Sequence, residues 1–306
     1  MLSWTYGSMR NIRFFVVVAI GLAACTPFVV SIPDSADDLL SGQVLFGEVI
    51  DVSDLRTDEI MALNDDLRDY VASKVGDDRQ ARSRLRKLIS GMIEDGLLTL
   101  EYDANRTYTA IETFETRQGN CLSFSILFFA LAREADLDVT FQMVDIPPSF
   151  SADGESILLN NHINVLVRGV RSDVNFLRTY VVDFNTAEYN GNYDTKKVTD
   201  NYAIALYYSN VAVESMQAGD LREAFRYLKK GIDSDPAIAG LWVNLGVLYS
   251  RYKQYNMAEQ AYRQALSVQP SNKSALVNLS IALHHLGRKE ESKYYSEKVA
   301  YYRDRN

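Results

Sequence analysis

The stretch "RQGNCLSFSILFFALAR", residues 117–133, predicts a buried helix with a cysteine in its first turn. Asn120 is of a type favoured at the position that caps a helix N-terminus, and Gly119 permits a sharp entry of the chain in front of it. The run that follows is apolar on every side, which is typical of a helix in the centre of a protein core. We therefore expect Cys121 to open a buried helix that runs to about Glu134.

A cysteine at this place has two interpretations. The first backbone amides of a helix have no partner inside the helix, and together with the helix dipole they stabilise an anion such as a thiolate. With a histidine close by, such a thiolate is a reactive nucleophile. Alternatively, Cys121 is a small buried hydrophobic residue, the usual role of a lone cysteine beside an apolar helix.

Three predicted strands follow the helix, and they carry a histidine and an aspartate. "DVTFQMV" (138–144) alternates as a strand does, and "HINVLVRG" and "YVVDFN" flank a polar turn as the strands of an antiparallel hairpin do. If the turn is centred between Ser172 and Asp173, residue 162 lies opposite residue 183. Opposed residues on neighbouring strands point to the same face, so we expect His162 beside Asp183.

These three side chains have the chemistry of a nucleophilic triad. A carboxylate beside a histidine fixes its tautomer and stabilises the imidazolium. A histidine beside a cysteine takes the thiol proton and produces the nucleophile. Each residue taken by itself has a simpler interpretation: His162 as a strand-end residue that faces solvent, and Asp183 as a residue of a strand-terminal turn. Their order along the chain after Cys121 favours a site.

The stretch from residue 97 to residue 190 resembles the transglutaminase-like superfamily, whose members are relatives of papain-type cysteine proteases. The resemblance lies in a Gly-x-Cys that opens a buried helix ending in "LAR", and in the segments "NHINVLV" and "VVDFN". It implies an α+β papain-like domain, which we place at residues 58–200 together with its N-terminal helices. It further implies an acyl-transfer mechanism without a cofactor or a metal ion.

The same resemblance assigns roles to individual residues. Cys121 is the implied nucleophile, His162 the general base and acid, and Asp183 the group that orients the histidine. The backbone amide of the cysteine is one implied oxyanion donor, and Gln118 and Asn120 are both candidates for a side-chain donor. The loop 147–160, with its two prolines, is the expected rim of the cleft.

The last third of the chain repeats with a period of 34 residues, which predicts an all-α array over residues 202–303. The middle copy resembles the tetratricopeptide pattern at its signature positions, which are Trp242, Leu245, Gly246, Tyr249, Ala258, Tyr262, Ala265 and Pro270. The third copy is degraded, with Ser292 where an alanine belongs, as expected of a terminal cap. We expect three helical hairpins.

Repeats of this kind typically bind peptides on a concave face. Asn210, Asn244 and Asn278 recur at one repeat position, which resembles the groove position that hydrogen-bonds a ligand backbone; asparagine is also common there for structural reasons. The adjacent His284 and His285 point to different sides of a helix and make a poor metal pair. We expect them on the surface or in the groove.

The N-terminus has the anatomy of a secretory signal. Arg10 and Arg13 precede an apolar run, residues 14–22, that is shorter than the ~20 residues of a membrane span. The basic and apolar regions of the signal both lie after Met9. A start of translation at Met1 and a start at Met9 are therefore both compatible with the signal.

The end of this signal, "LAAC", resembles the lipobox of bacterial lipoproteins. The resemblance implies removal of a signal peptide, residues 1–24, and lipidation of Cys25, with Thr26 indicating the outer membrane. Several acyl chains anchor a protein stably. Residues 33–57 are polar, and we expect a loose tether with some helix over residues 25–57.

Composition excludes several classes of function. The sequence has two cysteines, so lipidation of Cys25 leaves only Cys121, and a disulfide within the chain or a Cys-rich zinc site is excluded. A net charge of −8 argues against a nucleic-acid partner. We expect an envelope lipoprotein whose cysteine domain acts as a peptidase or amidase on a protein or peptide recruited by the repeats. The alternative is a non-catalytic scaffold that binds partners through the repeats.

Overall fold

The structure is a computed structural model that describes residues 36–97, 101–103, 105–144, 152–153, 156–157, 162–171, 177–184 and 194–303. The expected signal peptide and its lipidated Cys25 lie outside these residues, as does most of the loop 147–160. Within the described ranges, no helix combines the length and the apolar character needed to cross a bilayer.

Helices and strands are mixed in the first part of the chain, and only helices follow. The helices are α1 (Asp37–Ser41), α2 (Gln43–Phe46), α3 (Asp65–Val75), α4 (Ala81–Glu94), α5 (Ala110–Thr116), α6 (Cys121–Glu134), α7 (Asp200–Ala218), α8 (Leu221–Ser234), α9 (Ala239–Arg251), α10 (Tyr255–Val268), α11 (Lys273–His285) and α12 (Lys289–Arg303). The strands are β1 (Glu101–Tyr102), β2 (Gln118–Gly119), β3 (Asp138–Val144), β4 (Ala152–Asp153), β5 (Ser156–Ile157), β6 (His162–Arg171), β7 (Leu177–Val182) and β8 (Thr195–Val198).

A four-stranded antiparallel sheet, in the order β7-β6-β3-β8, supports α6. The ring of Phe129 stacks on that of Phe141 in β3, with centroids 4.1 Å apart. Ser125 Oγ donates a hydrogen bond to the carbonyl of Ile163 in β6 at 3.1 Å. With α3, α5 and α7 also in contact with α6, its side chains are buried from Leu122 to Ala132. The predicted limits of this helix are confirmed, and its enclosure explains why it has no polar face.

The predicted hairpin forms, but its register differs from the predicted one. Val165 pairs with Val182, and continuing this register past the end of β7 sets Asp183 opposite Asn164. The prediction that residue 162 lies directly opposite residue 183 is therefore wrong by two residues. Because side chains alternate with a period of two, a shift of two leaves His162 and Asp183 on the same face of the sheet.

The length of the turn causes this difference. Arg171 pairs with Leu177, so five residues separate the two strands instead of a short turn centred near residue 172. An irregularity between Val167 and Val170 then shifts the register back by one residue, which leaves the net difference of two. Bulges of this kind insert an extra residue into one strand and cannot be recognised from the alternation of side chains alone.

Three helical hairpins, α7–α8, α9–α10 and α11–α12, form the C-terminal part, as the period of 34 residues predicts. In the middle hairpin, Gly246 lies directly against the ring of Tyr262, which is fully buried. Trp242 Nε1 donates to the carbonyl of Pro236 at 2.9 Å, which fixes the entry into α9. Small and large signature residues therefore meet across the two helices of the middle hairpin.

Residues 36–57 pack against the repeats, in contrast to the loose tether that their polarity predicted. Leu39 is buried, and its carbonyl accepts a hydrogen bond from Tyr249 Oη at 2.8 Å. The ring of Phe46 meets that of Phe225 edge-on, with centroids 5.6 Å apart. A few apolar side chains, spaced to reach one surface, are enough to hold a segment that is polar on average.

The close approach of α9 and α10 yields a prediction for Gly246→Ala. A methyl group there would come within 2.6 Å of Tyr262 Cδ1, and the buried ring has no room to move. We expect a loss of about 1–3 kcal/mol of unfolding free energy, the usual cost of overpacking a filled core. Thermal or urea unfolding measures it.

Gly91→Ala is the matched control, because Gly91 also lies within a helix but faces the flexible side chain of Lys74. Alanine there gains up to about 1 kcal/mol of helix propensity, which offsets the displacement of the lysine. Equal stability of Gly246→Ala and the unsubstituted protein would show that the two helices need not approach so closely.

Candidate functional site

The N-cap of α6 places Cys121. Asn120 Oδ1 accepts hydrogen bonds from the backbone N–H and the hydroxyl of Ser123, both at 3.0 Å, as its role in capping predicts. Cys121 is therefore the first residue of the helix, and it is half-buried while the residues after it are fully enclosed. Its thiol stands at the end of the helix where the backbone amides favour a negative charge.

His162 and Asp183 lie side by side at the end of the hairpin. His162 Nε2 is 2.7 Å from Asp183 Oδ1 and 2.9 Å from Oδ2, and the imidazole is 5% exposed. Asn164 Nδ2 donates to Asp183 Oδ2 at 3.1 Å. The carboxylate is thus held from two sides, and it fixes the histidine ring in one orientation.

Cys121 also acts on His162, because its thiol is among the groups that raise the pKa of the ring. Burial disfavours the imidazolium, but the hydrogen bond to Asp183 and the influence of Asp183 and Cys121 outweigh it and raise the pKa of His162 to about 9. At neutral pH the ring is a cation, and a cation beside a sulfur stabilises its thiolate.

Aromatic packing holds the aspartate against the helix of the cysteine. Phe184, the residue after Asp183, places its ring 5.9 Å from that of Phe124 and 6.1 Å from that of Phe128, both on α6. The hairpin end therefore cannot move away from α6 without losing buried ring contacts.

The two oxyanion candidates differ in their surroundings. The side chain of Asn120 caps α6 with its oxygen and donates from Nδ2 to Thr107 Oγ1 at 2.7 Å, within the core. Both ends of its amide group are therefore engaged within the fold. Gln118 lies in β2, three residues before Cys121, and is half-buried. The oxyanion role of either residue stays a prediction.

The three asparagines of the groove lie on α7, α9 and α11, the first helix of each hairpin. Asn244 Nδ2 donates to Ser209 Oγ at 3.2 Å, so this residue links two repeats. Asn278 is buried, and its Nδ2 has no hydrogen-bond partner among the described residues. Asn210 is half-buried. The structure thus gives Asn244 a structural bond and leaves Asn210 and Asn278 as groove candidates.

The two repeat histidines end α11. His285 stacks on Tyr255, with ring centroids 4.3 Å apart. In the ranges that the structure covers, there is no group of three or more His, Cys, Asp or Glu side chains arranged to hold a metal ion.

Sequence reasoning missed two polar residues near the site. Asn164 stands two places after His162 on the same strand, so alternation could have found it on the face of the site. Thr107 lies 13 residues before Asn120, and no local sequence pattern indicates that the two are in contact. Only the folded chain shows their hydrogen bond.

The contacts of His162 predict the effect of Asp183→Asn. An asparagine is neutral, so it no longer stabilises the imidazolium against the effect of burial. The pKa of His162 therefore falls from about 9 toward its ordinary value of 6.5 or below. Titration of the histidine ring signals by NMR measures it, with His284 and His285 at the end of α11 as internal controls. A His162 titration that does not move would contradict the pairing.

The same change alters the pH dependence of stability. A raised folded-state pKa means that His162 stabilises the protein fully below pH 6.5 and that this contribution is lost as the pH rises through 9. In Asp183→Asn the unfolding free energy should therefore fall less steeply as the pH rises from 6.5 to 9 than it does in the unsubstituted protein. An unchanged slope would assign the pH dependence to other groups.

Comparisons with known proteins identify one repeat. The tetratricopeptide repeat family model matches residues 239–272. A crystal structure of MamA protein is 20% identical, with 33% of this chain and 55% of that chain covered and a TM-score of 0.31; a second MamA crystal structure is 20% identical, with 33% and 59% covered and a TM-score of 0.32. The chain thus spans somewhat more than half the length of the MamA structures.

The first TPR of Spaghetti (RPAP3) bound to the HSP90 peptide SRMEEVD is also similar, at 27% identity, with 33% of this chain and 83% of that chain covered and a TM-score of 0.32. No curated protein matches the chain. The C-terminal region therefore contains a tetratricopeptide repeat, within a mostly helical protein that has a small antiparallel sheet. The comparisons give no support to a transglutaminase-like or papain-like domain.

Proposed function

We propose that the protein binds a protein or peptide partner through its helical repeats. The observation that carries this proposal is the tetratricopeptide match at residues 239–272, because such repeats commonly bind protein or peptide partners on an extended concave surface. In this function the protein is a scaffold of the bacterial cell envelope, anchored through Cys25.

Asn210→Ala combined with Asn278→Ala tests partner binding while it leaves the structural Asn244 intact. We expect about tenfold weaker retention of a partner cross-linked in envelope extracts, because each lost hydrogen bond contributes about 0.5–1.5 kcal/mol. Quantitative mass spectrometry of the cross-linked partners measures it. Glu290→Ala, an exposed change on α12, is the control. Equal retention by both variants would exclude this face of the repeats as the binding surface.

We further propose a catalytic function, cysteine acyl transfer at Cys121. A specific observation favours it: His162 Nε2 hydrogen-bonds to Asp183, and Cys121 acts on the pKa of the same ring. This is the arrangement that a nucleophile, its base and an orienting carboxylate require. It supports the papain-like interpretation of the first part of the chain.

The proposed reaction begins with the thiolate of Cys121 and the imidazolium of His162. The sulfur attacks an amide carbonyl and forms a C–S bond, while amides at the start of α6 and Gln118 stabilise the oxyanion. The C–N bond then breaks, and the imidazolium gives its proton to the leaving amine. Water activated by the neutral His162 hydrolyses the thioester, which makes the protein a peptidase or amidase; an amine in place of water would give transfer.

The two proposed functions are compatible in space. The short strand β5, in the loop expected to form the rim of the cleft, lies against α11 of the repeats. A peptide held by the repeats would therefore be near the cleft, which supports a role for the repeats in presenting a substrate.

The pH dependence of alkylation tests the activation of Cys121. With iodoacetamide, we expect the rate at Cys121 to be already at its plateau near pH 7. In His162→Ala the rate at pH 7 should fall about thirtyfold, because only about one thirtieth of an ordinary thiol, with a pKa near 8.5, is ionised at that pH. Peptide mapping by mass spectrometry distinguishes Cys121 from Cys25 in the full chain.

His285→Ala is the matched control, because it removes a histidine that lies on the repeats. If Cys121 in the unsubstituted protein reacts only at alkaline pH, or if both histidine variants behave alike, the catalytic proposal fails and partner binding remains.

A further inference from the structure

The carboxylate of Asp183 has a second donor in addition to the histidine, and the register of the hairpin explains its place. Continuing the pairing of Val165 with Val182 sets Asp183 directly opposite Asn164, whereas His162 is a diagonal neighbour. Directly opposed side chains have their Cβ atoms about 4.5–5.5 Å apart, and diagonal neighbours are farther apart. The backbone therefore brings Asn164 nearer to Asp183 than it brings His162, and Asn164 Nδ2 donates to Asp183 Oδ2 at 3.1 Å.

The histidine by itself leaves the orientation of this carboxylate open. His162 Nε2 lies 2.7 Å from Oδ1 of Asp183 and 2.9 Å from Oδ2, so the two oxygens are nearly equivalent acceptors for one N–H. A carboxylate accepts hydrogen bonds on both oxygens, and two donors in different positions define the plane of the group. The bond from Asn164 to Oδ2 thus leaves Oδ1, the nearer oxygen, for His162.

The burial of Asn164 indicates that its amide is oriented by this bond. The side chain is 1% exposed, and its Oδ1 is buried without a hydrogen-bond partner in the described part of the chain. An acceptor left in this way is unfavourable. Turning the amide over would be worse, because it would set this oxygen against the oxygen of a carboxylate. The amide therefore keeps its nitrogen on Asp183.

We propose that Asn164 is a positioning residue for the candidate triad, which holds the plane of the Asp183 carboxylate so that Oδ1 accepts the Nε2–H of His162. The inference rests on the proposed acyl-transfer function and deepens it. Asn164 acts through the carboxylate and not on the substrate.

The consequence for the histidine is a fixed tautomer. A carboxylate oxygen held at Nε2 keeps the proton of the neutral ring on that nitrogen, which leaves Nδ1 as the basic nitrogen. When the ring is charged, the same oxygen stabilises the imidazolium through a charge-assisted hydrogen bond. A carboxylate that is free to turn would do both less well. Asn164 thus acts on the one group in the triad that determines how His162 holds its protons.

Asn164→Leu tests the proposal in the full chain. Leucine has the same branching at Cγ but carries methyl groups in place of the two polar atoms. Asp183 and Cys121 act on the charge of His162, and this substitution changes neither of them. A change at His162 would therefore reach the ring through the carboxylate. Asn164→Ala, which cannot overpack the sheet, serves the same purpose if Asn164→Leu does not fold.

The first readout is the Nε2–H proton of His162 in NMR spectra, which does not depend on the reactivity of Cys121. A strong hydrogen bond to a carboxylate moves such a proton to low field and slows its exchange with water. We expect this signal in the unsubstituted protein, and a shift toward higher field with faster exchange in Asn164→Leu. The titration of the ring should move in the same direction as in Asp183→Asn, but less far.

The second readout is the rate of alkylation of Cys121 by iodoacetamide at pH 7. In Asn164→Leu it should fall by about two- to tenfold, the contribution of one hydrogen bond, and so by less than in His162→Ala. Gln142→Leu is the matched control, because half-buried Gln142 pairs with Asn164 from the other side, in β3. It exchanges an amide for the same side chain in the same row of the sheet and should change neither readout.

Three results would overturn the positioning role. One is a His162 signal that stays the same in Asn164→Leu and Asn164→Ala, even with a loss of unfolding free energy, since the asparagine would then be structural only. Another is a titration that moves to higher pH, because Asn164 would then compete with His162 for the carboxylate. The third is an equal effect of Gln142→Leu on the signal.

Failure of the acyl-transfer function has a different signature. If the His162 signal shifts in Asn164→Leu while His162→Ala leaves the alkylation of Cys121 unchanged, the hold of Asn164 on Asp183 is supported and the acyl-transfer function is overturned.

Discussion

The N-terminus of α6 must satisfy its backbone amides inside the protein, and much of the structure follows from that requirement. A helix that is apolar on all sides gains stability by being enclosed, yet its first amides are polar and costly to bury without partners. Asn120 meets the requirement with its own side chain, which in turn needs Thr107 to satisfy its nitrogen. Cys121 stands half-buried at this end of the helix, where the unused amides and the dipole act on its thiol.

The pairing of His162 with Asp183 depends on a simpler constraint, the alternation of side chains along a strand. The same face carries Asn164, so that the carboxylate meets two donors from one strand. Any displacement by an even number of residues would keep these groups on one face, although it would change which of them is nearest. Aromatic contacts between Phe184 and α6 then select the register that is seen.

Local sequence patterns predicted the features that depend on interactions between residues close together in the chain. The limits of α6 and its cap, the hairpin and the period of the repeats all follow from propensity and spacing over fewer than 40 residues. Three features did not: the register of the hairpin, the packing of residues 36–57, and the bond of Thr107 to Asn120. Each depends on contacts between distant parts of the chain or on a bulge, which leave no periodic signal in the sequence.

The contact of Leu39 with Tyr249 joins residues that are 210 positions apart. A ribosome makes the chain in one direction, so the apolar side chains near Leu39 have no surface to cover them until the second repeat hairpin has been made. Closing so long a loop is slow, and exposed apolar segments are prone to aggregate meanwhile. The first described segment therefore cannot complete its folding before the second repeat hairpin has been made, and its apolar side chains stay exposed on the nascent chain until then.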